Sequence, residues 1–273
     1  MKQYLRRYGI LFSLLIISTG STAALAADGT PVISRIQKSG ELVLGTSGNM
    51  PPMTFKQADG SLNGFDISMA ELMADVMKVK LVTKVMPFNE LIPALKSGKV
   101  DVVMSNMTIN PTRNMQVAFV GPYMTSGKCI VTKKDNLAKA DEAKDLDIKD
   151  MRLAVLKGST SEDFVRTLMP KVTITTVDDN QQGADMVASD KVGGMLTDYP
   201  ICLATIKNNP DAGFVSVFSL LTYEPIGIAV SGDDALFINW TENFLERLKQ
   251  TTVLDVIGKK WLGDLAAQKA EME

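Results

Sequence analysis

The sequence predicts an α/β fold in two parts joined by a double crossing, and three observations carry that reading. Short apolar, strand-like runs alternate with longer helix-like periodic runs, the pattern of parallel βαβ units. The alternation breaks after the segment ending at Tyr123 and resumes with a second set of strands from Lys128. Proline and glycine mark both places where the chain passes between the two sets, at Gly121-Pro122 with Ser126-Gly127 on the outward path and at Tyr223-Glu224-Pro225 on the return.

In chain order, the first set pairs a strand at 42–45 with a helix at 67–77, a strand at 80–85 with a helix at 89–96, and a strand at 100–104 with a helix from 111. Asn110-Pro111 reads as the start of that third helix, an N-cap followed by proline at the first helical position. The second set has strands at 128–132, 152–155, 172–177, 194–196 and 215–218, with helices opening near Ser161, Asn180 and Pro200. The chain returns through an apolar run at 226–230 and finishes in two amphipathic helices, 236–248 and 253–261. The stretch 133–149, rich in Lys, Asp and Ala, reads as a solvated loop and helix. Neither a short internal repeat nor a low-complexity segment is visible.

The first residues read as a secretory signal peptide, 1–26: Lys2, Arg6 and Arg7 form the positive end, an apolar centre follows, and Ala24-Leu25-Ala26 is a small-residue cleavage site. The apolar centre is shorter than the roughly 20 residues that span a bilayer. Cleavage would release the chain into the periplasm. It would also remove three positive charges and no negative ones, leaving 26 Lys and Arg against 31 Asp and Glu, a net charge of −5. With that balance and no basic run interleaved with aromatics, nucleic-acid binding is excluded as an expectation. The chain has no histidine, which removes the commonest general base and transition-metal ligand. No metal, cofactor or catalytic residue is expected. Cys129 and Cys202 are the two cysteines; an oxidising compartment permits a disulfide between them, and small core residues are the equal alternative.

The chemistry concentrates at three strand ends, where open α/β sheets bind ligands. The first is Ser105-Asn106-Met107-Thr108, followed by Arg113 in the first turn of a helix. That end of a helix favours anions, so an arginine there suggests that the guanidinium and the helix terminus share an anionic partner, such as a small carboxylate. A surface arginine paired with Asp or Glu is the plainer alternative. The second is Gly158-Ser159-Thr160, where Ser159 and Glu162 fit a capping box and the hydroxyls also suit an anion. The third is Leu196-Thr197-Asp198-Tyr199-Pro200, whose aspartate could simply cap the next helix.

The segment SNMTINPTR followed by VAFVGPY resembles the signature of the polar amino-acid solute-binding proteins of ABC importers, family 3. The resemblance runs from about Gly40 to Leu262, through GELVLGT, PPMTF, GFDISMAELM, LIPALKSGKVDVVM, VLKGST, LTDYP, IGIAV and KKWLGD. It implies a periplasmic binding protein-like II fold, two α/β lobes joined by a two-strand hinge with a ligand cleft between them. Lobe 1 would be 28–122 plus 224–273, the hinge 123–127 and 220–223, and lobe 2 128–219. By the same resemblance Arg113 clamps an amino acid's α-carboxylate, assisted by Thr108, Ser105 and the backbone at Asn106, with Ser159 and Thr160 contributing from the opposite lobe. Asp198 would hold the α-ammonium group. Positions often filled by stacking aromatics correspond to Met50 and Phe88, and Ser47 stands where relatives that prefer cationic amino acids often carry an acidic residue. The expected partners are therefore a small, non-cationic amino acid and an inner-membrane ABC permease, with the chain acting as a monomer. A periplasmic cyclohexadienyl dehydratase, with Asp198 or Glu224 as general acid, is the enzymatic alternative on the same fold.

Overall fold

The computed structural model describes residues 30–134, 143–217 and 222–263. The signal peptide expected at 1–26 therefore lies outside the described residues, as do parts of the expected 133–149 loop and of the return crossing. The chain opens with α1 (Pro31–Ser39) and β1 (Glu41–Thr46), then three short strands, β2 (Asn49–Met50), β3 (Thr54–Lys56) and β4 (Leu62–Asn63). Next come α2 (Phe65–Met77), β5 (Lys80–Val85), α3 (Leu91–Lys96), β6 (Val102–Val103), α4 (Pro111–Asn114) and β7 (Ala118–Ser126). After Gly127 follow β8 (Lys128–Thr132), α5 (Ala143–Leu146), β9 (Arg152–Leu156), α6 (Thr160–Leu168), β10 (Thr173–Val177), α7 (Asn180–Ala188), β11 (Gly194–Asp198), α8 (Tyr199–Asn208) and β12 (Val215–Val217). The chain then returns through β13 (Glu224–Val230) and ends, among the described residues, in α9 (Ala235–Gln250) and α10 (Val253–Leu262). No helix among them is long and apolar enough to cross a membrane.

Two five-stranded sheets result, ordered β5-β1-β6-β13-β7 and β10-β9-β11-β8-β12. In each, the strands from βαβ units run parallel (β1 with β5 and β6; β9 with β10 and β11), and the strands that carry the chain between sheets run antiparallel. The first sheet has one continuous core, from Val32 on α1 through Leu42 and Leu44 to Phe237 on α9. The second is covered by two smaller clusters, one around Leu153 and Val155 and one around Val131 and Met195. Cys129 on β8 and Cys202 on α8 form a disulfide within the latter, which resolves the choice the sequence left open.

The crossings differ from a simple break at Pro and Gly. β7 and β13 are hydrogen-bonded neighbours from Ala118↔Val230 to Ser126↔Glu224, so the two paths form a paired ribbon. The register slips between Ile226 and Ile228, which sets Gly121-Pro122-Tyr123 opposite Gly227. A proline, which has no N–H to give a ladder, is tolerated at such an irregularity. Gly227 must stay small there, because a Cβ would lie 2.6 Å from Ile109 Cδ1.

Helix α1 and the β2–β4 sheet were not anticipated. Local signals for α1 exist, namely Pro31 at its start and Gly40 in the left-handed region at its end. Its amino terminus, however, is capped from afar: Asp234 Oδ2 accepts from Val32 N and Ile33 N, both at 2.9 Å, while Oδ1 caps α9 through Phe237 N. One buried carboxylate thus ties the two ends of the described chain together.

Candidate functional site

The loop after β6 is fixed from two sides before any side chain enters the cleft. Gly227 N donates to Met107 O and Ile109 N donates to Pro225 O, which stitches the loop onto the crossing strand β13. Asn106 adopts a left-handed backbone, φ 50°, and its N–H donates to Asp66 Oδ2 at 2.7 Å. Ser105 Oγ accepts from Ser47 N and bonds Ser47 Oγ, so both serines sit behind the cleft as a support for this loop.

Asn110 caps α4 as its sequence predicts, its Oδ1 accepting from Arg113 N at 2.8 Å. Arg113 is 7% exposed, which rules out the plainer surface ion pair. Its Nη1 donates to Thr108 O at 2.8 Å and its Nη2 to Gly158 O at 3.1 Å, and the guanidinium lies 5.4 Å from the centre of the Phe88 ring. These carbonyls orient the fork without neutralising it. Burial pulls the Arg113 pKa below its ordinary value, against the opposing pull of Asp198, Asp163 and Glu224; a guanidinium still stays charged at neutral pH.

The facing wall belongs to the second sheet. Ser159 caps α6, accepting from Glu162 N, and Glu162 reaches back to Gly158 N at 2.8 Å, a capping box displaced by one residue. Asp198 occupies the N-cap position of α8 but makes no cap hydrogen bond. Its carboxylate instead accepts from Lys128 Nζ at 2.5 Å and from Asn106 Nδ2 at 2.6 Å, the latter across the cleft. Lys128 is 1% exposed, and its Nζ also donates to Thr160 Oγ1 at 2.7 Å and pairs with Glu224 Oε2 at 3.5 Å. Burial pushes the Glu224 carboxyl up. Lys128 and hydroxyl donors Thr108, Thr222 and Thr160 outweigh that, and its pKa ends below the ordinary value.

Met50, Phe88, Asn106, Thr108, Arg113, Ser159, Thr160 and Asp198 meet around one cavity between the two sheets. The space enclosed there is about 20 Å³, room for roughly one water. A solute of several heavy atoms enters only if the two walls part. Lys128 was not expected as part of this grip, and Glu224 was expected only as the general acid of the enzymatic alternative. A lysine opening the apolar strand CIVT was the available signal, since a charge at a buried strand position needs a partner.

Residues 42–264 match the bacterial extracellular solute-binding proteins, family 3. The chain is 30% identical to the arginine-binding extracellular protein ArtP of Bacillus subtilis (strain 168), over 91% of this chain and 96% of that one. Among solved structures, an ancestral arginine-binding protein bound to glutamine is 38% identical, with a TM-score of 0.77 over 82% of this chain and 98% of that one. The ancestral amino acid-binding protein AncCDT-1, a precursor of cyclohexadienyl dehydratase, is 36% identical, with a TM-score of 0.78 over 84% and 98%. With the matched motifs, the two-sheet architecture and the cleft in agreement, the chain belongs to the bacterial extracellular solute-binding proteins, family 3.

Proposed function

We propose that this protein captures an amino acid, or a similar small zwitterion or carboxylate, in the cleft between its lobes and delivers it to an ABC importer. The observation that carries this reading is the buried Arg113 fork, held by Thr108 O and Gly158 O beside a cavity shared by both sheets. A planar, permanently charged fork suits a carboxylate. The lobes, 28–122 plus 224–273 and 128–219, would close about the paired strands β7 and β13, since neither wall holds all the contacts alone. After export guided by residues 1–26, the protein would act in the periplasm as a monomer.

The ligand side chain is read as neutral. Ser47 stands where relatives that prefer cationic amino acids often carry an acidic residue, so a cationic side chain would lack that countercharge. Met50 and Phe88 supply an apolar and an aromatic wall. The arginine named for a relative is not carried over for that reason. A dehydratase reading is not favoured: a general acid needs a raised pKa, whereas Glu224 is lowered and Asp198 is ion-paired.

The test is Arg113→Ala, examined by thermal-shift screening against the proteinogenic amino acids and by calorimetry on any hit. Losing a bidentate contact to a carboxylate in a closed cleft should cost about 3 kcal/mol or more, over a hundredfold in Kd. Binding within threefold of the parent removes the clamp reading.

A further inference from the structure

Two donors on the wall built from the second sheet have no acceptor. Asn180 opens α7, and Ser161 lies in the first turn of α6. They are 5% and 3% exposed, and both line the cavity beside Arg113 and Asp198. Thr197 Oγ1 donates to Asn180 Oδ1 at 3.2 Å, which leaves the N–H groups of the Asn180 amide unused among the described residues. Ser161 Oγ makes no hydrogen bond among them either. Buried polar groups are hydrogen-bonded, so a ligand has to supply the missing acceptor. Each group also sits at a helix amino terminus, whose partial positive charge favours an oxygen. Asn106 presents the opposite need on the facing wall. Its Oδ1 is buried without a partner and calls for a donor. An α-ammonium supplies one, and it offsets the negative charge left where Asp198 and Glu224 share the single Lys128 ammonium.

We infer that Asn180 and Ser161 form the side-chain subsite of the cleft and select an amino acid ending in a carboxamide over apolar and acidic amino acids of the same shape. The carboxamide oxygen would accept from Asn180 Nδ2 and Ser161 Oγ, with the methylenes lying against Met50 and Phe88. An apolar side chain would leave both donors unpaired in the closed cleft. A side-chain carboxylate would add a second anion where Arg113 takes the α-carboxylate and Lys128 is committed to Asp198 and Glu224. Amide against amide also pairs whichever way the Asn180 group is turned, because each carries a donor and an acceptor. This rests on the carboxylate-clamp reading of Arg113 and deepens it to one ligand class.

Calorimetry on the purified protein with two shape-matched sets tests it: asparagine, aspartate and leucine; and glutamine, glutamate and methionine. In at least one set the carboxamide should bind about tenfold or more tighter than both other members, the scale of an unpaired buried donor. Asn180→Ala should then lower the ratio of carboxamide to apolar affinity by about tenfold. An effect of the substitution on folding or closure weakens both members alike, so the ratio reports the contact. Ser161→Ala, read in the same way, serves if the Asn180 variant does not fold. The inference is overturned if the parent binds the apolar or the acidic member at least as tightly as the carboxamide in both sets, if it binds none of the six compounds, or if the ratio is unchanged in the variants. Arg113→Ala separates the two claims. Carboxamide binding retained within threefold in that variant removes the clamp reading and this inference together, whereas binding lost there with an apolar or acidic member preferred by the parent removes this inference alone.

Discussion

Asn106 and Asp198, on loops at the ends of opposite sheets, share a hydrogen bond of 2.6 Å between Nδ2 and Oδ2. It is a charge-assisted contact that spans the cleft. Its donor is aimed by backbone bonds that pin the loop after β6 to the crossing strand β13. The same residue therefore reports on the cleft and on the ribbon about which the lobes would move.

Asn106→Gly tests that link, because glycine keeps the positive φ while deleting the amide. A charge-assisted hydrogen bond is worth about 1.5–3 kcal/mol, so the closed form should lose population. Small-angle scattering of the unliganded variant should give a larger radius of gyration than the parent, and unchanged scattering would show that the contact does not hold the lobes together.

Gly158→Ala should oppose closure by sterics. Gly158 has φ 75°, and an added Cβ would lie 2.8 Å from Asn89 Cβ on the opposite wall. Parting the walls relieves the contact with Asn89, whereas the backbone strain, about 1 kcal/mol, persists in either form. The variant should lose roughly tenfold or more in ligand affinity by calorimetry, with a smaller loss in thermal stability. Equal affinity to the parent would place the two walls farther apart in the bound form.

Asp66 makes stability depend on pH. Its carboxyl is fully buried and desolvation raises its pKa from 3.8 to about 7, although Tyr123 and Asn106 N–H donate to it and lower it in part. The folded value lies above the unfolded one, so the native state holds the extra proton between them. The stabilisation is complete below about pH 4 and is lost as pH rises through about 7, a total of roughly 4 kcal/mol. Urea unfolding at pH 5 and pH 8 should show about 3 kcal/mol of this loss in the parent, and Asp66→Asn should flatten it. A pH-independent difference between the two proteins rules the assignment out.

The Cys129–Cys202 disulfide closes a span of 73 residues and ties the strand bearing Lys128 to the helix that begins after Asp198. Loop entropy on that scale is worth about 2–4 kcal/mol. The Cys129→Ala/Cys202→Ala double variant should unfold at lower urea by that amount, and reductant should lower the parent's midpoint but not the variant's.

Much of this protein was legible from local chemistry. The alternation of apolar runs and amphipathic stretches placed the strands of both sheets near their observed positions, because burial on a sheet or along a helix stripe imposes a short period on the sequence. Asn110-Pro111 and Ser159 with Glu162 marked helix starts correctly, since caps are satisfied within a few residues. The family followed from many ordered motifs. Helix α1 was missed because its first N–H groups are capped by Asp234, a residue that sequence distance hides.

What only the tertiary structure decided is the partner of each charge. Asp198 read as a helix cap or, by resemblance, as an ammonium site, and strand register set it against Lys128. Glu224 read as a residue of the return crossing or as a general acid, and pairing of β13 with β7 buried it beside the same lysine. Ser47 and Ser105 read as cleft residues, and the fold bonds them to each other beneath the loop after β6. The sequence by itself determined the family, the two α/β lobes and the arginine. Coulombic pairing falls with distance in space, whereas residue patterns report separation along the chain, so the balance of charge in the cleft emerged only from the fold.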